Sequence, residues 1–221
     1  MFGKMKGVLP LAISIGVLAF VYVEIALNFT FHWVTNGDLG NGLALPSNFH
    51  LVVPAGFVTW GLFYLLGADN AAATKTAIAS IVGSVGGLVL MIVGPAVADL
   101  PDFWGLALLV GIIAFVLVLA IPVSEKYSVA ACFPAFASVV FWWIATGLDG
   151  WADKGGGVGN SVEALGKPAT AGTGAFGGVI STPYLMVFVN VLVTLLVGLV
   201  FGIASGRLSA LISPKKTAAA K

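Results

Sequence analysis

Three side chains spaced four residues apart have the strongest potential for chemistry in this chain. Glu24, Asn28 and His32 share one face if a single helix continues through that stretch. A carboxylate, an amide and an imidazole in line could bind a cation, relay a proton or line a polar vestibule. The alternative is that Glu24 lies near the end of an apolar segment and reaches water, with the neighbouring aromatic residues forming an interfacial belt. The sequence leaves both interpretations open.

A metal site or an enzyme needs more converging groups than the sequence supplies. The candidate metal ligands are Glu24, His32 and His50, and their spacing matches no established ligand motif. The sequence has no His-Glu-x-x-His motif, no paired intramembrane aspartates and no Gly-x-Ser-x-Gly elbow. We therefore expect no enzyme activity and no cofactor, and a metal protein or enzyme built on these three residues is the third alternative for function.

Uncharged polar side chains inside the apolar segments are the other candidates for contact with a solute. Thr59 and Ser138 lie at nearly equivalent places in the two halves of the chain, each shortly after a proline. Such a pair could line a pore by replacing the hydration of a neutral solute, although Ser and Thr also bond back to their own helix. Asn190 lies one turn before Thr194, and a buried amide needs partners. The predicted substrate-binding or pore-lining residues are Glu24, Asn28, Thr59, Ser138, Asn190 and Thr194.

Glycines repeat every four residues in two of the apolar segments. One segment carries Gly83 and Gly87, and the last segment carries Gly198, Gly202 and Gly206. This spacing gives a helix a smooth face on which another backbone can approach closely. We expect these faces to pack helices together, either against each other or against a neighbouring subunit.

Composition places the chain in a lipid bilayer. Hydrophobic residues make up 59% of the chain and charged residues 9%, and the mean hydropathy is +1.07, far from the values of an ordinary soluble domain. The net charge of +1, with scattered basic residues, argues against nucleic-acid binding. The single cysteine, Cys132, excludes an intrachain disulfide.

The apolar runs predict an all-α membrane protein with six transmembrane helices. A helix needs about 20 residues to cross about 30 Å of hydrocarbon, and no alternating barrel pattern occurs in the sequence. The predicted spans cover residues 8–28, 51–67, 77–98, 103–123, 128–147 and 183–211. A single domain is expected over residues 1–221, with outer loops at 29–50 and 148–182 and a cytoplasmic tail at 212–221.

The two halves of the sequence echo each other. SIGVLAF at 14–20 recurs as LVGIIAF at 109–115, and VGSVGG at 82–87 recurs as VGLVFG at 197–202. Between these matches, a Pro-Ala pair followed by a Gly and an Asp recurs with the same internal spacing. Because each copy has three spans, the copies are predicted to be inverted relative to each other, an architecture typical of channels and secondary transporters. The predicted repeats are residues 8–98 and 103–211.

The positive charges predict the orientation of the chain in the membrane. One side of the six-span arrangement carries Lys4, Lys6, Lys75, Lys126, Arg207, Lys215, Lys216 and Lys221, and the other carries Lys154 and Lys167. Cytoplasmic loops have an excess of Lys and Arg. We therefore expect both termini in the cytoplasm, in a bacterial inner membrane.

The segment PAGFVTWGLFYLLGADNAAATKTAIASIVGSVGG at 54–87 resembles the DUF1097 family of small membrane proteins. In that family, an aromatic-rich span ends in a turn of small residues and leads into a glycine-rich span. The resemblance covers about two-thirds of the chain, and it implies a polytopic inner-membrane protein. It implies no mechanism and no site residues, and the long outer loops of this chain depart from the compact loops of the family.

These patterns favour a membrane channel or facilitator for a small neutral or weakly charged solute. The repeat and the scarcity of charge within the spans support this function and disfavour a strongly ion-coupled pump. The second alternative is a non-catalytic subunit of a larger membrane complex that uses the glycine faces and outer loops to bind its partners. The expected partners are lipid, a small solute and either further copies of the chain or other membrane subunits, but no nucleic acid.

Overall fold

The regular secondary structure in the described part of the chain is all helical. The structure is a computed structural model, and it describes residues 2–28, 49, 51–97, 100–146 and 183–214. Six α-helices lie in these ranges: α1 (Phe2–Leu27), α2 (Val53–Leu65), α3 (Asn70–Val97), α4 (Trp104–Leu119), α5 (Val129–Ala145) and α6 (Tyr184–Ile212). Short 3-10 turns flank α4 at Pro101–Phe103 and Ile121–Val123.

Four of the described helices are long and apolar enough to cross a membrane. These stretches are Gly7–Leu27 in α1, Asn70–Val97 in α3, Trp104–Val123 from α4 through the following turn, and Tyr184–Ile212 in α6. Most of the apolar surface of α1 and α4 is exposed, whereas α3 and α6 lie at the centre. Contiguous exposed apolar surface of this kind is stable against lipid, so the helices indicate an integral membrane protein.

The helices α2 and α5 are shorter than the spans predicted for them. The 13 residues of α2 reach about 20 Å at 1.5 Å per residue, less than the thickness of the hydrocarbon. The helix ends because Gly67 and Ala68 have left-handed φ angles of 116° and 57°. The Ala68 amide then donates to the Phe63 carbonyl at 2.9 Å, which closes the last turn of α2. Asp69 Oδ1 accepts from the Ala72 amide at 2.7 Å and caps the start of α3.

The six described helices form two lobes, and each lobe takes one helix from the opposite half of the sequence. In the first lobe, α1 and α2 pack most extensively on α6. In the second lobe, α4 and α5 pack most extensively on α3. The lobes meet at a seam where α3 and α6 contact each other and where α2 and α5 face each other.

Close contacts give the direction of each helix within the first lobe. A Cβ added at Gly198 would meet the backbone of Gly56, and one added at Gly202 would lie 3.5 Å from the Cβ of Phe63. The residue numbers of the contacts increase in the same direction along both helices, so α6 runs parallel to α2. Ser14 Oγ donates to the Ser205 carbonyl at 2.6 Å, while the ring of Tyr22, further along α1, lies 5.2 Å from the earlier residue Phe201. Therefore α6 runs antiparallel to α1.

The second lobe has the same arrangement of directions. A Cβ added at Gly83 would lie 2.8 Å from the Cβ of Ala135, and one added at Gly87 would lie 2.7 Å from the Cβ of Val139. Thus α3 runs parallel to α5. A Cβ at Gly86 would contact Ile113, whereas one at Gly94 would contact the earlier residue Leu106, so α3 runs antiparallel to α4.

An apolar cluster fills the seam between the lobes. It consists of Val52, Ala55, Met91, Ala135, Val139, Trp143, Val187, Val191 and Leu195. These residues come from α2 and its preceding residue, and from α3, α5 and α6, so both lobes contribute. We call the membrane side with the start of α2 and the end of α5 the long-loop face. The side with the turns that join α2 to α3 and α4 to α5 is the short-turn face.

Candidate functional site

A cavity of about 360 Å³ lies between α2 and α5, towards the long-loop face. It is lined by Val52, Pro54, Ala55, Val58, Ser138, Phe141, Trp142 and Ala145. The cavity exists because α2 and α5 pack more closely on α6 and α3, respectively, than on each other. Its described lining is apolar except for one hydroxyl and one indole N–H, and none of the described lining residues is charged.

The polar groups of the cavity wall come from Ser138 and Trp142. Ser138 is half-buried, and its Oγ donates to the Pro134 carbonyl at 2.8 Å, so its oxygen lone pairs stay available to a further donor. The Trp142 Nε1 is buried and has no hydrogen-bond partner among the described residues. An indole N–H normally finds a partner when it is buried. The Ser138 oxygen can therefore accept a hydrogen bond from a small molecule, whereas the indole N–H is enclosed by protein atoms.

The predicted site residues Thr59 and Thr194 bind helices together away from the cavity. Thr59 is fully buried, and its Oγ1 donates to the Leu195 carbonyl at 2.5 Å, which ties α2 to α6. Thr194 Oγ1 donates to the Asn190 carbonyl at 2.6 Å and accepts from the Val52 amide at 3.0 Å. Of Thr59 and Ser138, which the sequence places at nearly equivalent positions of the two halves, the structure brings only Ser138 to the cavity.

Glu24 and Asn28 lie at the end of α1, and neither lines the cavity. Glu24 is exposed, and Asn28 Nδ2 donates to Glu24 Oε1 at 2.9 Å and to the Glu24 carbonyl at 2.9 Å. The pair shares a helix face as the spacing predicts. His32 and His50 lie outside the described residues. Among the residues that are described, no three His, Cys, Asp or Glu side chains form a group that could hold a metal ion.

The glycine repeats pack helices together, but each repeat faces a helix of its own lobe. Gly83 lies against α5, where an added Cβ would meet the Cys132 carbonyl, and Gly198 lies against Gly56 of α2. Gly87 and Gly202 continue these two contacts, and Gly206 is more open, with Tyr64 Oη 3.7 Å from an added Cβ. The alternative that the two glycine faces pack against each other is wrong for the described chain.

Two hydroxyls that do not belong to the predicted pore-lining residues are buried without a partner among the described residues. Thr76 and Ser84 of α3 are both 0% exposed, and neither hydroxyl has a hydrogen-bond partner among the described residues. Ser80, which lies between them, donates to the Thr76 carbonyl at 2.8 Å. The spacing of four residues places all three on one side of α3. That spacing was readable in the sequence, but the missing partners were not.

Replacing Ser84 with alanine is expected to stabilise the fold. An unpaired buried polar group costs about 1–3 kcal/mol, so Ser84→Ala should raise the free energy of unfolding by that order, as measured by denaturant titration in mild detergent. Ser80→Ala is the matched control, because it removes a hydroxyl that already has an acceptor, and it should give no such gain. Equal effects of the two variants would contradict the assignment of Ser84 as unpaired.

The sequence of residues 12–210 matches the family model DUF1097, described as a protein of unknown function. This match covers most of the chain. The chain belongs to the DUF1097 family. The match extends well beyond the segment 54–87 on which the resemblance rested, and it includes all six predicted pore-lining residues, so the family prediction is confirmed. No curated protein and no solved structure matches the chain.

In this DUF1097 protein, one serine joins all three helices of the first lobe. Ser205 Oγ of α6 donates to the Gly202 carbonyl at 2.8 Å and accepts from Trp60 Nε1 at 3.0 Å. Tyr64 Oη lies 2.9 Å from the same Oγ and donates to it, because the one Ser205 proton is already used. The Ser205 carbonyl accepts from Ser14 Oγ of α1. No pattern in the sequence predicts this junction, since the partners come from three distant segments.

Replacing Ser205 with alanine is expected to destabilise the first lobe. Ser205→Ala leaves the buried Trp60 N–H and the Tyr64 hydroxyl without their partner, at a cost of about 1–3 kcal/mol for such a group. Denaturant titration should detect the loss. Ser213→Ala removes an exposed hydroxyl that donates to the Ser209 carbonyl and should change the unfolding free energy much less. A Ser205→Ala protein as stable as the Ser213→Ala protein would contradict this role.

The second lobe has a hydroxyl contact at the short-turn face. Tyr127 Oη donates to the Leu117 carbonyl at 2.6 Å and ties the start of α5 to α4. Burial raises the pKa of Tyr127 above its ordinary value. The phenol therefore keeps its proton, and this contact, across the physiological pH range.

Proposed function

We propose that this protein is a membrane facilitator for a small neutral solute, which binds in the cavity between α2 and α5. The observation that carries the proposal is that α2 and α5, the two described helices that do not belong to the four long apolar stretches, face each other across that cavity. In transporters built from inverted repeats, short or interrupted spans at corresponding positions of the two halves are the best pointer to the binding site. The sequence echo makes α2 and α5 such a corresponding pair.

The directions of the helices support the inverted repeat on which this proposal depends. In the first lobe α6 is parallel to α2 and antiparallel to α1, and in the second lobe α3 is parallel to α5 and antiparallel to α4. If α1 is exchanged with α4, α2 with α5 and α3 with α6, the description of one lobe becomes the description of the other. The short turn between α2 and α3 makes those two helices antiparallel. Each helix of the first half therefore runs opposite to its counterpart in the second half.

The contacts of the glycines support the same exchange at single residues. Gly83 and Gly198 are at equivalent positions of the echoed glycine segments, and so are Phe136 and Gly56 counted from the echoed prolines. A Cβ added at Gly83 would lie 2.9 Å from the Phe136 amide nitrogen, and one added at Gly198 would lie 2.5 Å from the Gly56 Cα. Equivalent residues thus make equivalent contacts in the two lobes.

The lining of the cavity favours an uncharged solute. A volume of about 360 Å³ falls in the range of small-molecule sites, about 300–1,000 Å³. A charged solute would need a countercharge in so apolar a place, and the described lining offers none. The Ser138 oxygen suits a small solute that has a hydrogen-bond donor, such as a primary amide. The proposed orientation places both termini and the short-turn face in the cytoplasm of a bacterial inner membrane, with the chain assembled as a homo-oligomer.

Solute flux into proteoliposomes tests the proposal. The purified protein is reconstituted, and the entry of acetamide, urea and glycerol is followed by stopped-flow light scattering against protein-free liposomes. We expect faster entry of at least one of these neutral solutes and unchanged entry of sodium and chloride ions. Entry rates equal to those of protein-free liposomes for all three solutes, from protein that is folded by its unfolding transition, would contradict this solute class.

The second candidate function is that of a non-catalytic subunit of a larger membrane complex. The observation in its favour is the broad apolar face of α4, on which Leu108, Ile112, Phe115 and Val116 are all more than half exposed. Lipid or a partner subunit can cover such a face. Purification in mild detergent distinguishes the two functions, because fixed additional subunits favour the complex and a lone homo-oligomer favours the facilitator.

A further inference from the structure

Three hydroxyls form a line along α3 from the middle of the membrane to the short-turn face. Thr76, Ser80 and Ser84 are spaced by four residues, and each is at most 1% exposed. Over eight residues the line extends about 12 Å at 1.5 Å per residue. The hydroxyls of Thr76 and Ser84 have no partner among the described residues.

The absence of partners is unusual for hydroxyls on a helix. Serine and threonine inside a helix can donate to the carbonyl four residues earlier, as Ser80, Ser138 and Thr146 do in this protein. Thr76 and Ser84 make no such bond. A buried unpaired hydroxyl in a native structure calls for an explanation, such as a role in another state of the molecule.

Both unpaired hydroxyls lie near the seam between the lobes. Gly83 faces α5, and Ser84 lies about 100° further around the axis of α3. Met91 lies on nearly the same side of α3 as Ser84, and Met91 packs with Val191 and Leu195 of α6. Thr76 lies one turn after Ala72, which clusters with Phe63 of α2 and Leu199 of α6. The line of hydroxyls therefore follows α3 where the two lobes meet.

The line begins close to the depth at which the cavity ends. Gly87 contacts Val139 of α5, and the next residue back along α5, Ser138, lines the cavity. Ser84 precedes Gly87 by three residues, or about 4.5 Å along the axis of α3. The cavity therefore lies in the half of the membrane towards the long-loop face, and the hydroxyls lie in the half towards the short-turn face.

We propose that Thr76, Ser80 and Ser84 line the second half of the solute pathway and become hydrated when the lobes separate along the seam. This inference rests on the proposed function and adds the residues that the solute meets after leaving the cavity. A row of uncharged hydroxyls can replace the hydrogen bonds of water to a neutral solute, but it offers no countercharge to an ion. The structure then represents the form that is closed towards the short-turn face.

Access of a water-soluble thiol reagent to engineered cysteines tests the pathway. The single native cysteine is first replaced, as Cys132→Ser, and Thr76→Cys and Ser84→Cys are added one at a time. Reconstituted protein is treated with 2-hydroxyethyl methanethiosulfonate, which is water-soluble and uncharged like the proposed solutes, and labelling is followed by mass spectrometry. The cysteine thiolate attacks the reagent and forms a mixed disulfide while methanesulfinate leaves, and the thiolate forms in water and not in lipid or a dry core.

Two positions on the same helix serve as controls. Ala79→Cys is as deeply buried as the test positions but lies in the apolar cluster of the second lobe, with Ile113 and Leu117. Ile81 is 47% exposed on the outer surface of the helices, where lipid would cover it. Ile81→Cys therefore places a thiol in lipid without disturbing the core. We expect labelling of Thr76→Cys and Ser84→Cys to be at least tenfold faster than labelling of either control.

Labelling at Thr76→Cys and Ser84→Cys as slow as at Ile81→Cys would overturn the inference. If the solutes nevertheless enter proteoliposomes, the facilitator function stands and its pathway lies elsewhere. If both positions label rapidly but acetamide, urea and glycerol do not enter, the hydrated pathway stands and the proposed solute class fails. The two measurements therefore separate the two proposals.

Discussion

Gly198→Ala is expected to separate α2 from α6 and to cause the largest loss of stability among single substitutions in the first lobe. The added Cβ would lie 2.5 Å from the Gly56 Cα and 2.6 Å from the Gly56 carbonyl carbon, and it would overlap the Gly56 carbonyl oxygen. These are backbone atoms of a helix, so no side-chain rotation can relieve the overlap. The helices must move apart along their whole contact.

The movement also breaks the hydrogen bonds that join the same two helices. The Thr59 hydroxyl bonds to the Leu195 carbonyl, and the Val52 amide bonds to Thr194 Oγ1, and both partners in α6 lie about one turn before Gly198. Overpacking alone costs about 1–3 kcal/mol, so with these bonds weakened we expect a loss of about 3 kcal/mol or more. Thermal and denaturant unfolding in mild detergent measure the loss, and reduced yield of folded protein accompanies it.

Gly206→Ala is the matched control on the same helix. Its nearest neighbour would be Tyr64 Oη at 3.7 Å, an ordinary contact. Because alanine is about 1 kcal/mol more favourable than glycine within a helix, this variant should be as stable as the parent protein or more so. Both glycines belong to the same four-residue repeat in the sequence. If Gly198→Ala destabilises the protein and Gly206→Ala does not, the difference therefore comes from how closely each glycine is packed. Equal stability of Gly198→Ala and Gly206→Ala would contradict the close approach of α2 and α6.

The sequence predicted the class of fold because the signals for it are local. Apolar runs long enough for lipid, the absence of barrel alternation and the glycine spacing can each be read within one segment. The structure confirms an all-helical chain with six helices in its described part and four long enough to span a membrane. The predicted end of the second span at residue 67 lies two residues beyond α2, because left-handed Gly67 and Ala68 close a helix that the apolar run alone would continue.

The partners of each helix were not predictable, because lipid and protein are equally apolar surroundings. In a soluble protein the apolar stripe identifies the side that faces the core, but membrane helices are apolar all round. The sequence therefore did not indicate that Gly83 faces α5 and Gly198 faces α2. It equally did not distinguish Thr59, which is bonded to Leu195, from Ser138, which reaches the cavity.

The structure supplies a reason why the polar residues of the two halves differ in role. Ser205, Trp60, Tyr64 and Ser14 connect α1, α2 and α6 by side-chain hydrogen bonds. The echoed positions of the second half carry Leu90, Val140, Ile144 and Leu109, which pack only by dispersion. Hydrogen bonds thus hold the helices of the first lobe together, whereas the unpaired hydroxyls of Thr76 and Ser84 lie in the second lobe, near the seam. A movement of one lobe against the other would leave the hydrogen bonds around Ser205 intact and would expose these two hydroxyls.

Ser138→Trp is expected to abolish solute entry while leaving the protein folded. Ser138 lies in the wall of the cavity, and a cavity of about 360 Å³ has room for an added indole. The lost hydroxyl bonds only within α5, to the Pro134 carbonyl, so its removal leaves no partner from another helix unpaired. Entry of acetamide, urea or glycerol, whichever the parent protein accelerates, should fall at least tenfold, to the rate of protein-free liposomes.

Val118→Trp controls for the bulk of the new side chain. Val118 is 46% exposed on α4, so the same indole there extends into lipid and should leave entry rates unchanged. Both variants should keep the unfolding transition of the parent protein, which separates a blocked site from a misfolded protein. In the proposed pathway the solute passes through the cavity between α2 and α5, so filling that cavity stops a facilitator and leaves a purely structural subunit unaffected. Unchanged solute entry through a folded Ser138→Trp protein would place the pathway outside the cavity between α2 and α5.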